Sequence, residues 1–286
     1  MLKKNISKLI CKIVLIILIL GLLFPIYWMV GISLKNKSEI FTYPPTLVPQ
    51  QITMDNYHGV LYQGGSESVV LGEGGYYKYL RNSLIVAIIS SMICLALGAF
   101  GSYGLVRLKA SQRLKRNISF WIISTRMIPP VAAAIPFYIM FRNLRMLNNL
   151  TSLIIVYTSM NLPFSIWILQ GFFREVPSEI YEAATIDGCS PVAAFVKVVL
   201  PLSMPGLMTS LIFTTIFSWN EFLFALILTG EETKTMPVAA ASMWSAISSR
   251  WGEIASVGVV TIIPVLILTL LTQKHFVQGM TFGAIK

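Results

Sequence analysis

"EVPSEIYEAATIDGCSPVAAFVKVVLPLSMPG", residues 175–206, lies between two long apolar segments and decides the fold. Its acids, prolines and glycines make two short helices joined by an elbow. Ser178 is placed to cap the first helix, and Glu179 falls in its first turn, where the macrodipole favours an anion. Gly188 can take the left-handed conformation that ends that helix. Ser190 then caps a second helix with Pro191 at its first position, and Pro201 is expected to stop it after "VAAFVKVVL". At about 100° per residue, Glu179 and Glu182 lie roughly 60° apart with Ile186 between them. A helix on a membrane surface separates an apolar face from a basic one. This helix interleaves acid, small and apolar groups instead. That surface suits a protein groove lined partly by basic groups, with Ala183 and Ala184 permitting close approach; the alternative is a plain solvated loop.

The rest of the chain explains what the elbow interrupts. Of 286 residues, 55% are hydrophobic and 12% charged, against roughly 25% charged in an average soluble domain. Crossing a bilayer core takes about 20 apolar residues. Six windows qualify, near residues 11–32, 82–106, 118–141, 150–173, 207–229 and 254–273. The expected fold is therefore all-α: one polytopic membrane domain of six transmembrane helices with a cytoplasmic loop at 175–206. Pro25, Pro129, Pro130, Pro136, Pro163 and Pro264 lie in or at the ends of these runs, which predicts kinked or broken helices around a path.

Lys and Arg outnumber Asp and Glu by 22 to 12, but the bases flank apolar runs, so they orient the chain and do not point to nucleic acid. "MLKKNISKLICK" and "RLKASQRLKR" (107–116) are the densest basic clusters, and both fall on the cytoplasmic side together with the elbow and both termini. The opposite side receives residues 33–80, "RNLRMLNN" and "GEETKTMPVAAASMWSAISSRWGEI". The signal-like start is too long for a cleaved leader and reads as an uncleaved first span. Cys11, Cys94 and Cys189 are single, His58 and His275 are isolated, and no metal or catalytic set appears. No GxxxxGK[ST] occurs, so this chain carries no phosphate-binding loop of that kind and no bound cofactor is expected.

Glu182-Ala183-Ala184, Gly188, Val198, Leu200 and Pro201 reproduce E-A-A-x3-G-x9-[IV]-x-L-P without a gap. This resembles the transmembrane subunits of bacterial ABC importers. Nearly the whole chain is similar to the sugar-importer permeases of the maltose-transporter inner-subunit type. "RNSLIVA", "RMIPPVAAAIPFYIMF", "WNEFLFALILT" and the final "KHFVQGMTFGAIK" carry that likeness. The resemblance implies a heterodimer with a second permease in the bacterial plasma membrane. It also implies two ATPase subunits that bind ATP and Mg, and an extracytoplasmic sugar-binding protein. The elbow then couples to the ATPase through Glu179, Glu182, Ala183, Ala184, Asp187, Gly188, Leu200 and Pro201. Two features depart from the family pattern: Met204 stands where a basic residue is frequent, and the loop around 64–75 is longer.

Asn161, Trp219, Asn220 and Glu221 are candidates for a sugar path, because sugars are held by hydrogen bonds and aromatic faces. Polar contacts between helices are the competing account. Glu221 and Arg126 are ionisable groups within spans, which is a functional expectation with a buried ion pair as its alternative. Trp244, Arg250 and Trp251 in the outer loop are candidates for binding-protein contact or interface anchoring. Importers of another solute, such as a polyamine or glycerol phosphate, or a non-transport membrane scaffold, are the rival readings.

Overall fold

The computed structural model describes residues 2–61, 75–244 and 250–281, and side chains within all but the ends of these ranges. The described residues are helical with no strand. The helices are α1 (Leu2–Ser33), α2 (Lys37–Ile40), α3 (Asp55–Leu61), α4 (Gly75–Arg107), α5 (Gln112–Ser124), α6 (Pro130–Asn143) and α7 (Leu150–Glu175). They continue with α8 (Ser178–Ile186), α9 (Pro191–Ala194), α10 (Leu200–Leu202), α11 (Met204–Trp219), α12 (Leu223–Leu228), α13 (Met236–Trp244) and α14 (Trp251–Thr281).

Among the described residues four helical stretches are long and apolar enough to cross a bilayer: Lys8–Ser33, Gly75–Arg107, Leu150–Glu175 and Trp251–Leu271. Two bent pairs raise the number to six if each pair counts as one span. Gln112–Met127 and Pro130–Asn143 meet at 84°, and Pro191–Leu202 and Met204–Trp219 meet at 79°. The window 118–141 is thus not one straight helix. Ile128 is extended (ψ 122°) because a proline follows it, and Pro129 and Pro130 offer no N–H to continue the ladder. The window 207–229 is also interrupted, since α11 ends at Trp219 and α12 begins at Leu223.

The chain divides into two compact units, Met1–Lys78 with Ala239–Ile263, and Tyr79–Val238 with Pro264–Lys286. In the first, the segment after α1 is tied down by polar contacts. Buried Lys35 donates to the Thr46 carbonyl and lies 5.2 Å from the Trp28 ring. Asn56 donates to the carbonyls of Ser33 and Lys35, each at 2.9 Å. Glu39 accepts from the Gln50 amide (2.9 Å) and the Thr46 hydroxyl (2.7 Å), and these bonds hold its carboxyl below the usual range.

In the second unit α4, α7 and α11 approach closely because small residues face one another. A Cβ added at Gly98 would stand 2.3 Å from Ser165 Oγ. Ser165 and Ser210 hydroxyls meet at 2.8 Å, and Ser90 donates to Ser218 at 3.1 Å. One apolar cluster joins Phe141, Leu153, Val156, Phe224 and Leu228. Next to it, Asn82 donates to the carbonyls of Glu232 and Lys234, and Asn148 Oδ1 accepts from the Gly230 amide. A second cluster joins Ala99, Leu169, Phe173, Phe195, Val199 and Leu207 beneath the elbow.

Candidate functional site: the elbow and the broken-helix cavity

The elbow is built as two helices closed by a hydrogen-bonded turn. Val176 precedes a proline and is extended (ψ 115°), which ends α7. Pro177, with ψ 138°, takes the N-cap position of α8. The expectation that Ser178 caps α8 is therefore corrected: Ser178 is already helical, and no side-chain bond closes the first turn. Glu179 lies in that turn as expected. At the other end the Cys189 amide donates to the Ala184 carbonyl (3.0 Å) and the Gly188 amide to the Thr185 carbonyl (3.1 Å). This is a Schellman pair, and it places Gly188 at φ +88°, a conformation that suits a residue without a Cβ.

Ser190 caps α9 as expected, its Oγ accepting from the Ala193 amide at 3.2 Å, with Pro191 in the first turn. The expectation that Pro201 stops this helix is corrected as well. A π-helical turn at Phe195–Val199, in which the Leu200 amide donates to the Phe195 carbonyl, leads into α10, and Pro201 lies inside α10. The widened turn accommodates a residue that has no N–H. The stop comes at Ser203 (φ −97°, ψ 15°), just before Met204 and Pro205 open α11.

One side of the elbow is anchored and the other is free. Phe195 is 1% exposed and stacks on Tyr103 at 4.2 Å between ring centres; Phe173 meets Phe195 edge-on at 5.8 Å. The Arg107 guanidinium lies 4.1 Å from the Tyr181 ring. These contacts clamp α8 and the π turn to the C-terminal ends of α4 and α7. Leu200 is half-buried against the same cluster. The outer face carries Glu179, Glu182, Ala183, Asp187 and Gly188, all exposed, with Ala184 half-buried and Pro201 exposed. Ile186 is 85% exposed and Val192 63%, so aliphatic groups stand among unpaired acids. Among the described residues Glu179, Glu182 and Asp187 make no ion pair.

A cavity of about 240 Å³ lies where two spans break, bounded by Arg126, Pro130, Tyr157, Asn161, Phe217, Glu221 and their neighbours. It brings together Asn161 and Glu221 from the expected path and adds Arg126. Asn161 donates to Ser218 Oγ at 3.1 Å. Glu221 accepts from the Phe224 and Ala225 amides at 2.9 and 3.1 Å, so its carboxylate caps α12. Arg126 makes no ion pair among the described residues. Its guanidinium instead lies over Phe164 and Phe217, 4.8 and 4.5 Å from the ring centres. Trp219 and Asn220 are not among the residues around this cavity. Trp219, 3% exposed, borders an apolar groove with Leu84, Ala87 and Pro264, and Asn220 is exposed and donates to the Ile216 carbonyl.

At the start of α14, Arg250 is 9% exposed and pairs with Glu253 at 2.8 Å. Trp251 borders a cavity shared with Trp28 and Met29. The Trp244 side chain and the loop 62–74 lie outside the described residues. Sequence reasoning did not single out Tyr103, Phe173, Phe195 or Tyr157. An aromatic residue four positions before Arg107, at the end of an apolar run, was the available signal for the anchor.

Residues 93–282 match the family described as "Binding-protein-dependent transport system inner membrane component". The chain is 33% identical over 272 residues to the diacetylchitobiose uptake system permease protein DasC of Streptomyces coelicolor, covering 95% of this chain and 94% of that protein. It is 34% identical over 267 residues to the trehalose transport system permease protein SugB of Mycobacterium tuberculosis, covering 92% of each. A chain of a bacterial ABC transporter involved in the import of the acidic polysaccharide alginate shares the fold. Its TM-score is 0.78 at 23% identity, over 96% of this chain and 98% of that one.

Proposed function

Because the chain belongs to the family of binding-protein-dependent transport system inner membrane components, we propose that it is a permease subunit of an ABC importer for a sugar or oligosaccharide. It forms half of the translocation path beside a second permease. A separate ATPase binds ATP and Mg, an extracytoplasmic protein delivers the sugar, and the elbow receives the ATPase's motion. One observation carries the coupling role: the outer face of α8 presents unpaired acids and an 85% exposed Ile186 while its inner face is clamped to α4 and α7. An anchored, short helix pair moves as a unit, so a push on it passes into the spans as a rigid-body displacement, as alternating access requires. The names of DasC and SugB support carbohydrate as the cargo.

The same geometry supports a cytoplasmic elbow. Arg107, next to the basic 107–116 connection, lies on Tyr181 of the elbow, so both belong to one end of the second unit. A basic end is the cytoplasmic end, which supports cytoplasmic termini with six spans. Reconstitution of the chain with its partner permease, ATPase and binding protein in liposomes tests the reading. Sugar uptake that depends on ATP, and that is lost together with stimulated ATP hydrolysis in Glu182→Arg, is the expected result. Full uptake in that variant refutes the coupling role.

A further inference from the structure

We propose that the outward face of α5 binds one anionic phospholipid of the surrounding membrane, with its phosphate on Arg113, Arg116 and Lys109 and its acyl chain along Phe120 and Trp121. The inference rests on the six-span membrane reading and is independent of the cargo.

The bases beside this helix divide into two groups. Residues 107–116 hold Arg107, Lys109, Arg113, Lys115 and Arg116. Two of them serve the fold: Arg107 lies on the Tyr181 ring, and Lys115 donates to the Val106 carbonyl at 2.9 Å. Lys109, Arg113 and Arg116 are exposed and make no ion pair among the described residues. No Asp or Glu occurs between Arg107 and Arg126 to offset them. An uncompensated basic cluster of this kind is complementary to an anion.

Helix geometry joins that cluster to an apolar surface. Lys115, Ile118, Ser119 and Ile122 are half-buried and form one face of α5. Arg113, Leu114, Arg116, Asn117, Phe120 and Trp121 are exposed and form the opposite face. Residues three and four apart are neighbours on a helix, so Arg113, Arg116 and Phe120 make one row and Leu114, Asn117 and Trp121 the next. Phe120 is 62% exposed and Trp121 71%, on a stretch that belongs to one of the bent spans.

The direction of α5 selects the ligand. It begins beside the C-terminal end of α4, through the bond from Lys115 to Val106, and leads to Arg126, which lies over Phe164 of α7. Phe164 is about 16 Å along α7 from its elbow end at Glu175. The helix therefore runs inward from the elbow end, and Phe120 and Trp121 follow Arg113 by about 10–12 Å along its axis. That rise exceeds the roughly 5–8 Å headgroup layer of one leaflet, so the row passes from phosphate depth to acyl-chain depth. An acidic protein surface outside the membrane meets the arginines alone. A phosphate with a chain attached meets both parts of the face, which is the chemistry by which basic clusters at the cytoplasmic ends of spans hold anionic lipids.

The test uses the complete transporter, with second permease and ATPase, in phosphatidylcholine nanodiscs. The probe is phosphatidylglycerol carrying a photoactivatable diazirine in its acyl chain, and cross-links on residues 112–127 are quantified by mass spectrometry. Unlabelled phosphatidylglycerol at about tenfold excess is expected to lower that labelling at least fivefold, while the same amount of added phosphatidylcholine leaves it within twofold. The double variant Arg113→Gln, Arg116→Gln is expected to lower it at least fivefold. Both side chains are exposed, and an unchanged unfolding midpoint shows that the fold is intact. No labelling of 112–127 in the wild type, equal displacement by the two lipids, or labelling of the double variant within twofold of wild type each overturns the site. Glycerol phosphate, which has no chain, overturns the lipid assignment if it displaces the probe as well as phosphatidylglycerol does. Loss of the ATPase from the double variant with labelling retained assigns the arginines to that protein and overturns the proposal as well.

Discussion

The elbow and the broken-helix cavity treat polar groups in opposite ways. At the elbow the acids point outward, and aromatic rings on the inner face hold the structure: Tyr103, Phe173 and Phe195 lie under α8 and the π turn. At the cavity the polar groups gather beside two backbone breaks, and aromatic rings and backbone amides meet the charges: Arg126 lies over Phe164 and Phe217, and Glu221 accepts the Phe224 and Ala225 amides. The contrast fits the roles proposed above: a protein socket would read an exposed, pre-shaped surface, and a solute in the membrane would read donors held in low dielectric, where each hydrogen bond is strongest.

The sharpest way to break the elbow side of this contrast is Gly188→Val. A Cβ at Gly188 meets nothing within 4 Å, so the substitution introduces no clash. What it disturbs is the left-handed conformation at φ +88°, which costs an L residue roughly 1–2 kcal/mol and a β-branched one more. Loss of the Schellman turn reorients α8 against α9, and uptake and stimulated ATP hydrolysis are expected to vanish together while the chain still inserts. Wild-type transport by this variant refutes a requirement for that geometry. Phe195→Ala attacks the anchor instead of the turn. Truncating a ring that is 1% exposed costs about 3–5 kcal/mol, with the neighbouring rings left unsupported. A lowered unfolding midpoint in detergent and a reduced ratio of stimulated to basal ATP hydrolysis are expected, and Phe195→Leu recovers part of both.

The two regions also differ in how far the sequence reveals them. The elbow is made by local rules, so Gly188, Ser190 and Pro191 announce their positions through backbone and capping preferences that act within a few residues. Where those rules compete, reading from sequence erred. Pro177 took the cap position ahead of Ser178, since its ring-fixed φ (−55°) and missing N–H suit the edge of a helix, and a π turn absorbed Pro201 where a stop was expected. The cavity arises from contacts distant in sequence. Asn161 and Glu221 were candidates on polarity alone, but Trp219 and Asn220 carry the same signal and do not border it, because α11 ends at Trp219 and the chain turns before Glu221. Tyr157 was invisible because its place at the cavity, with Glu221, is set by packing between distant helices.

Glu221 tests the cavity side with a smaller effect. Its two carboxylate oxygens accept the Phe224 and Ala225 amides, so Glu221→Gln leaves one acceptor and turns an NH₂ toward the other amide. Loss of one charged capping bond is expected to destabilise α12 by about 1–2 kcal/mol, visible as faster hydrogen exchange at Phe224 and Ala225. Unchanged exchange there removes the capping role and leaves the carboxylate to the cavity alone.

The smallest effect separates two serines that look alike on paper. Ser190 Oγ accepts the Ala193 amide, and replacing such a cap with alanine costs on the order of 1 kcal/mol. Ser178 sits one residue inside α8 and caps nothing, and alanine is the better helix former, so Ser178→Ala is expected to be neutral or slightly stabilising. The difference between the two variants, measured as unfolding midpoints of the same complex, isolates the cap from every other contact of the elbow. Equal losses in both place the serine hydroxyls in a shared role with a partner surface, since the internal geometry gives only Ser190 a bond to lose.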